Sequence, residues 1–157
     1  MNLPDRAHLR RLSNVWIENP IYFLTVCVAQ RRPLLTKRGI AEALRSAWAQ
    51  SPELHRWAVG RYVIMPDHVH FFARAYPDAK PLSGLIRDWK KWTSRHISAA
   101  LSVPAPIWQA EYFDHVLRSA ASYDEKWQYV FANPMRAGLV TQPEEWPFAG
   151  ECERLTF

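Results

Sequence analysis

The chain has 157 residues, of which 48% are hydrophobic, so it can bury a core of its own as one domain over residues 1–157. It has only two cysteines, which excludes a disulfide framework and a four-cysteine zinc site. The longest apolar runs are too short to cross a bilayer, and the N-terminus lacks the apolar core of a signal peptide. We therefore expect a cytoplasmic protein without a membrane partner.

Positive charge is concentrated in the first part of the chain. Residues 1–100 hold 16 Lys and Arg against 7 Asp and Glu, whereas residues 101–157 hold 4 against 8. Clustered Lys and Arg favour a polyanionic partner, because they displace counterions from phosphates. Many basic proteins bind no nucleic acid, however, so the charge alone leaves the partner open.

The first half of the chain predicts an arm, a strand, a helix and a hairpin. Residues 1–20 contain Arg6, Arg10 and Arg11 without apolar periodicity, and we interpret them as a basic N-terminal arm. A β-branched and aromatic run over residues 21–28 predicts a buried strand. From Thr36, apolar positions at i, i+3, i+4 and i+7 predict an amphipathic helix that ends at Ser51. Residues 57–64 and 68–73 predict two strands paired across a breaker at residues 65–67.

A second predicted helix, residues 82–100, has a basic stripe. Arg87, Lys91 and Arg95 follow one another at i+4 steps. Like charges at this spacing repel each other, so the stripe suits a nearby anion. An ordinary solvated face explains the stripe equally well.

The last predicted elements complete a fold class. Residues 112–118 predict a fourth strand, and Ser122 with Glu125 forms a capping-box pattern for a third helix that ends at Asn133. Residues 138–157 look like an irregular tail. The order strand, helix, strand, strand, helix, strand, helix predicts an α+β fold of ferredoxin-like type, an antiparallel sheet with helices packed on one face.

His68 and His70 are the first candidates for chemistry. Alternate side chains of a strand share a face, so both imidazoles point the same way, while Val69 points to the opposite face. Two neutral histidines can ligate a divalent ion but need a third ligand from the protein or from a substrate. The pattern also suits two partly buried histidines that are satisfied by hydrogen bonds.

Tyr129 and Asn133 lie four residues apart in the third predicted helix and so share a face. An Asn carbonyl can ligate a hard cation, and a Tyr hydroxyl becomes a nucleophile when a cation stabilises its anion or its target. Tyr129 can equally be an ordinary interfacial tyrosine. Tyr112 and Tyr123 are rival nucleophiles on the same grounds.

Five segments, taken in order, resemble the motifs of the IS200-like transposases. The Asn-Pro-x-x-Ala-Gly and Trp-Pro-Phe segments among them resemble more narrowly the REP-associated tyrosine transposases of bacteria. The resemblance covers the chain from about residue 22 to residue 146. The five segments are Met65-Pro66-Asp67-His68-Val69-His70-Phe71, Ile107-Trp108-Gln109, Asp114-His115-Val116-Leu117-Arg118, the segment from Tyr129 to Val140, and Trp146-Pro147-Phe148.

The resemblance implies a single-domain HUH endonuclease with a ferredoxin-like core. In that family two histidines bind Mg2+ or Mn2+, a tyrosine on a later helix is the nucleophile, and a polar residue one turn further completes the metal site. Position by position, His68 and His70 are the implied ligands, Tyr129 the implied nucleophile and Asn133 the implied third ligand. Some members have glutamine at this last position. Asn133 is shorter and precedes a proline, which disfavours helical geometry at that residue.

The activity implied is nicking of single-stranded DNA at or near hairpin repeats through a 5′-phosphotyrosine, with rejoining of ends. The REP-associated type is expected to be a monomer, whereas insertion-sequence relatives are dimers. Trp89 and Trp92 either stack on bases or pack in the core. The candidates for DNA contacts are Arg6, Arg10, Arg11, Arg87, Lys90, Lys91, Arg95 and Arg136.

Three other functions come from different classes. A domesticated protein that binds hairpin repeats without cutting them is the main alternative, although the histidines and the tyrosine argue against a purely structural role. The second alternative is a zinc hydrolase or deaminase that uses His68 and His70, but such deaminases need a Pro-Cys-x-x-Cys segment, which the sequence lacks. A ferredoxin-like RNA-binding module has no use for paired histidines opposite a tyrosine.

Overall fold

The computed structural model describes residues 19–157, so the predicted arm residues Arg6, Arg10 and Arg11 lie outside the described residues. The described residues form one antiparallel sheet with the strand order β4-β1-β3-β2-β5. This sheet and its helices confirm the α+β class. The strands are β1 (Ile21–Cys27), β2 (Trp57–Ile64), β3 (His68–Ala75), β4 (Phe113–Leu117) and β5 (Ala149–Glu151).

The helices mostly follow the apolar periodicity. The first begins at Ile40 instead of Thr36, because Gly39 before it has a φ of 81° and interrupts the helical backbone. The predicted stop at Ser51 instead begins a short second helix with proline in its first turn, where no N–H is needed. The helices are α1 (Ile40–Ala49), α2 (Ser51–His55), α3 (Leu82–Leu101), α4 (Ala120–Phe131) and α5 (Asn133–Arg136), with 3-10 turns at Ala29–Arg31 and Pro143–Glu145.

Helices α1 and α3 pack on one face of the sheet. Trp48 of α1 stacks on Trp89 of α3 with ring centroids 5.4 Å apart, and both rings contact Phe71 of β3. Trp89 is 2% exposed, so it is a core residue and not a base-stacking platform. Trp92, one turn further, is only partly buried.

Helix α4 lies on the other face of the sheet. The sequence predicted helices on one face only. Its buried Tyr123 and Val130 belong to a second apolar cluster with Phe23 of β1 and Phe72 of β3. These strands carry apolar residues on both faces, so both faces need a cover. The sheet therefore separates an α1/α3 face from an α4 face.

The start of α4 differs from the predicted capping box. Ser119 is the N-cap, and its side chain accepts a hydrogen bond from the backbone N–H of Ser122 at 3.1 Å. The Ser122 hydroxyl in turn accepts from the Ser119 backbone N–H at 3.2 Å. The prediction of Ser122 and Glu125 as the box was wrong, because a serine at the third helical position replaces the usual acid.

The C-terminal tail is partly ordered as a strand, so the prediction of an irregular tail was wrong. Residues Ala149–Glu151 form β5 and pair with β2. The indole N–H of Trp146 donates to the Ile64 carbonyl at 3.0 Å, and the Ile64 N–H donates to the Phe148 carbonyl at 2.8 Å. The Trp-Pro-Phe segment thus fixes the tail to the end of β2.

In the part of the chain from residue 19 onward, no helix combines the length and the apolarity that crossing a bilayer requires.

Candidate active site

The β2–β3 hairpin presents the two histidines. The Met65 N–H donates to the His68 carbonyl at 2.8 Å and closes the turn. His68 and His70 both point to the α4 face, and their Nε2 atoms lie 3.1 Å apart. Val69 between them is fully buried among the α1/α3 core residues. The alternation predicted from the sequence is confirmed.

Neighbouring side chains fix both rings through the Nδ1 atoms. Nδ1–H of His68 donates to the Asp67 carboxylate at 2.7 Å, and Nε–H of Arg31 donates to the other oxygen of that carboxylate at 2.8 Å. The hydroxyl of Thr25 lies 2.8 Å from Nδ1 of His70. With Nδ1 engaged, each ring directs Nε2 into the space between them. This is how metal-ligating histidines are usually oriented.

The surroundings keep both imidazoles neutral. Burial lowers the pKa of His70 to about 3, and the charges of His68, Lys126, Arg136 and Arg31 add to the effect. Burial also lowers the pKa of His68, against the opposing effect of the Asp67 carboxylate. Neutral imidazoles retain the lone pair that a cation requires.

Asn133 joins the histidines from the end of α4. Its Nδ2 lies 3.2 Å from Nε2 of His70 and 3.5 Å from Nε2 of His68. Helix α4 ends at Phe131, and Asn133 is the first residue of α5, followed by Pro134 in the first turn. The proline thus ends α4 without carrying Asn133 away from the histidines.

Tyr129 lies in the last turn of α4 and is 63% exposed. It lines a pocket of about 330 Å³ together with the two histidines and Asn133. We call it the HUH pocket, after its His68-Val69-His70 segment. Its complete lining is Phe23, His68, His70, Lys126, Tyr129, Val130, Asn133 and Arg136.

Two cations flank Tyr129. The guanidinium carbon of Arg136 lies 3.9 Å from the centroid of the Tyr129 ring, and its Nη1 donates to the Tyr129 carbonyl at 2.7 Å. Lys126, one turn earlier in α4, lies over the Phe23 ring at 5.1 Å. The pocket therefore combines a tyrosine hydroxyl, imidazole lone pairs and positive charge.

The rival tyrosines are placed differently. Tyr112 is 9% exposed and belongs to the core cluster on the α1/α3 face. Tyr123 is 5% exposed and packs edge-on against Phe72. Burial raises the pKa of the Tyr123 hydroxyl, which opposes formation of a phenolate. Neither tyrosine lines the HUH pocket.

The basic stripe of α3 is not brought to this pocket. Lys91 and Arg95 line a groove with residues of α1 and α2 on the other face of the sheet. Arg87 forms an ion pair with Asp88 at 3.2 Å. The ammonium of Lys90 donates to three loop carbonyls, those of Gln109, Ala110 and Glu111. Of the described candidates for DNA contact, only Arg136 lines the HUH pocket.

Several neighbours of the site were not anticipated as site residues. Asp67 directly precedes the first histidine, and Lys126 lies one helical turn before Tyr129, so spacing alone gave a signal for both. Thr25 and Arg31 had no local signal, because they reach the histidines only through strand pairing and chain folding.

The donors that converge here are two imidazoles and one amide. Among residues 19–157, no group of three or more His, Cys, Asp or Glu side chains is placed to hold a metal ion. A side-chain amide can present its oxygen as well as its nitrogen, since the two are related by rotation about one bond. The donor set therefore fits a divalent ion of borderline or hard character if Asn133 presents its oxygen.

Comparisons with known proteins agree on one family. The family described as "Transposase IS200 like" matches residues 17–132, which include both histidines and Tyr129 and stop just before Asn133. A REP-associated tyrosine transposase of Escherichia coli (strain K12) is 27% identical over 135 residues, covering 85% of this chain and 78% of that protein. A Haemophilus influenzae protein assigned to the same type is 23% identical over 141 residues, covering 82% of this chain and 78% of that protein.

A solved structure supports the same assignment. The REP-associated tyrosine transposase bound to a REP hairpin has a TM-score of 0.70 and 26% identity, covering 87% of this chain and 79% of that chain. IS200-like transposases are tyrosine transposases of the HUH type and in general depend on a metal ion. The family match covers most of this chain, which therefore belongs to the IS200-like transposase family.

Proposed function

We propose that this protein is a metal-dependent single-stranded DNA endonuclease and strand transferase that nicks DNA at or near hairpin repeats. The observation that carries the proposal is one pocket that combines Nε2 of His68 and His70, 3.1 Å apart, with Asn133 and an exposed Tyr129. The hairpin as substrate is supported by the REP hairpin bound to the relative of known structure.

His68, His70 and Asn133 would hold the metal ion, Mg2+ or Mn2+. When Nδ1–H of His70 donates to Thr25, both Nε2 lone pairs face each other beside the Asn133 amide. Lone pairs at this separation repel each other, and a bound cation would remove that repulsion. Such an ion, when bound, supplies Lewis-acid stabilisation of the charge on the scissile phosphate.

Tyr129 is the proposed nucleophile. Its oxygen attacks the phosphorus, a tyrosyl O–P bond forms, and the bond from phosphorus to the 3′ oxygen breaks. Because the side chain is 63% exposed, its proton passes to solvent, and the departing 3′ oxygen takes a proton from solvent to become a hydroxyl. The 5′-phosphotyrosine is still a phosphodiester, with a tyrosyl ester in place of the 3′ ester, so a 3′-hydroxyl can reverse the step and join ends without ATP.

Arg136 and Lys126 are proposed to bind the phosphate. The Arg136 guanidinium is already held beside the tyrosine by the Tyr129 carbonyl and ring. Cations placed before the reaction stabilise the charge that develops on the phosphate without reorganising. Their position on both sides of Tyr129 also holds the phosphodiester near the phenol oxygen.

The test is capture of the covalent product. Labelled hairpin DNA from the genomic flanks of the gene is incubated with the wild type in Mn2+, in Mg2+ or in chelator, and products are separated on a denaturing gel. We expect an adduct with metal only. Tyr129→Phe is expected to abolish it.

Tyr123→Phe is the matched control. Tyr123 lies in the same helix, and its buried hydroxyl has no hydrogen-bond partner among the described residues, so its removal leaves the fold intact. We expect this variant to form the adduct at the wild-type level. Tight binding without an adduct in either metal would indicate a DNA-binding protein without cleavage activity.

A further inference from the structure

The edge strand β4 carries a row of side chains on the α4 face. Phe113, His115 and Leu117 alternate with residues of the other face. Leu117 is buried in the apolar cluster beneath α4, whereas Phe113 is 51% exposed and His115 is also exposed. Helix α4 thus covers one end of the row and leaves the aromatic end open.

Strand pairing places the open end next to the HUH pocket. Phe113 pairs with Thr25 of β1, and Thr25 pairs with His70 of β3. Two strand spacings put Phe113 roughly 10 Å from His70 across the sheet. That distance corresponds to roughly three nucleotides of a stacked strand or fewer of an extended one.

A second pocket, of about 390 Å³, joins the row to the nucleophile. It shares Lys126 and Tyr129 with the HUH pocket, so the two pockets adjoin each other along α4, and Phe113 lies outside both linings. The walls of this second pocket are His115, Leu117, Ser122, Glu125, Lys126 and Tyr129. A strand whose phosphate lies at Tyr129 can therefore continue towards β4.

We propose that Phe113 and His115 form a base-stacking subsite for an unpaired nucleotide that flanks the scissile phosphate. The subsite rests on the function proposed above, since its occupant is the strand that Tyr129 attacks. Base–aromatic stacking accepts any base, because every base has a π face. The subsite therefore sets the position of the strand more than its sequence.

The charges around the row favour a nucleic acid over an apolar partner. Burial and then the charges of Lys126 and Arg118 lower the pKa of His115, so its ring is neutral at pH 7 and available for stacking or hydrogen bonding. Lys126 and Arg118 each act on His115 more strongly than the opposing Asp114 carboxylate, and they attract phosphates to this end of the row, although Glu125 also lines the pocket. An exposed aromatic residue on an edge strand is otherwise a liability for aggregation.

Binding and position are measured together. Hairpin DNA with a single-stranded flank, carrying an abasic site at one flank position at a time, is titrated against the full chain in chelator, so that no cleavage occurs. We expect Phe113→Ala to weaken binding of the intact strand about 5- to 150-fold. An abasic site at one of the flank positions is expected to weaken DNA binding by the wild type. The same abasic site is expected to leave binding by Phe113→Ala unchanged.

Two variants separate stacking from other roles. Phe113→Trp is expected to retain wild-type affinity, whereas Phe113→Leu, which keeps an apolar surface without a π face, is expected to bind like Phe113→Ala. Leu54→Ala is the matched control, because Leu54 is 58% exposed on α2 away from the site. Thermal melts of each variant check that the exposed substitutions leave the fold unchanged.

The outcomes distinguish this subsite from the proposed function. One outcome is that the wild type forms the Tyr129 adduct while Phe113→Ala binds DNA normally and each abasic site weakens binding by both proteins equally. In that case the subsite is wrong and the nickase stands. If no adduct forms but the Phe113 dependence is seen, the nickase is wrong, and Phe113 stacks on a base of DNA that the protein binds without cutting. If sedimentation shows that Phe113→Ala dissociates a dimer without changing DNA affinity, the row is a self-association surface and the subsite is wrong.

Discussion

At the scale of single residues, the orientation of the two imidazoles depends on side chains outside the His-x-His pattern. Asp67 accepts from His68, Arg31 holds Asp67, and Thr25 contacts His70. Burial raises the pKa of the Asp67 carboxyl, but hydrogen bonds from Arg31 and His68 outweigh it and leave that pKa below its ordinary value. Asp67 is therefore ionised at neutral pH and fixes the tautomer of His68.

Replacement of Asp67 by asparagine is expected to weaken metal binding about 10- to 100-fold, because the amide no longer fixes Nδ1–H of His68 with a charged acceptor. Mn2+ affinity is measured by electron paramagnetic resonance in the Tyr129→Phe background with hairpin DNA bound. Asp78→Asn is the control, since Asp78 is exposed and has a φ of 64°, which asparagine adopts readily. An unchanged Mn2+ affinity in Asp67→Asn would show that Asp67 has no part in orienting the ligand.

The half-buried His70 predicts a loss of stability in acid. Its pKa of about 3 in the folded chain lies below the ordinary value of 6.5, so the unfolded chain binds the extra proton between these values. Stability from this residue is present above pH 6.5 and is lost as the pH falls, by about 1.4 kcal/mol per pH unit at most. Without metal, the free energy of unfolding of the wild type is expected to fall more steeply from pH 6.5 to 5 than that of His70→Asn.

Urea denaturation in chelator at several pH values measures both slopes. His96→Asn provides the control, because His96 is exposed on α3. Parallel slopes for the wild type and His70→Asn would contradict a neutral, half-buried imidazole at this position.

At the scale of elements, α4 decides where Tyr129, the proposed nucleophile, lies. Its N-terminus is fixed by the reciprocal bonds of Ser119 and Ser122, and its C-terminus by the Asn133-Pro134 step that starts α5. Proline at the start of α5 leaves no unpaired N–H and ends the preceding helix. Despite this break, Tyr129 and Asn133 line one pocket while belonging to different helices.

Ser119→Ala is expected to destabilise the chain by about 1 kcal/mol, because the N–H groups of the first turn of α4 lose their cap. A shift of the urea midpoint at unchanged slope measures it. Ser83→Ala is the control, because Ser83 is an exposed serine in the first turn of α3, and this variant is expected to destabilise the chain less than Ser119→Ala. Equal midpoints for Ser119→Ala and the wild type would rule out a stabilising cap.

At the scale of the whole molecule, the sheet separates two basic regions. Lys126 and Arg136 line the HUH pocket with Tyr129 on the α4 face, whereas Lys91 and Arg95 lie on the α1/α3 face. In the function proposed above, a substrate phosphate at Tyr129 would contact the first pair and not the second. Cations on the far face act on DNA through long-range attraction, which salt screens over roughly 10 Å at 0.1 M.

This separation predicts different effects on rate and affinity. Neutralising Lys126 and Arg136 to glutamine is expected to slow adduct formation at saturating DNA by at least about tenfold, since the positive charge next to the reacting phosphate is removed. Neutralising Lys91 and Arg95 in the same way is expected to leave that rate unchanged. The variant of Lys91 and Arg95 is expected to change at most the affinity for DNA and its salt dependence. The slope of log affinity against log salt concentration changes by about 0.7 for each DNA phosphate that the protein no longer neutralises.

Single-turnover gel assays at saturating DNA measure the rates, and titrations at several salt concentrations measure the slopes. A slower single-turnover rate in the Lys91 and Arg95 variant would mean that DNA bound at the reacting site also engages α3.

The sequence by itself determined the local elements and much of the site. Alternation in β3 put His68 and His70 on one face, helical spacing put Tyr129 near Asn133, and the apolar runs predicted four of the five strands, because these patterns depend only on neighbouring residues. Only the tertiary structure placed α4 on the face opposite α3, paired the tail as β5, and brought Thr25 and Arg31 to the histidines. These relations join residues far apart in the chain, so they depend on which faces must be covered and not on any local period.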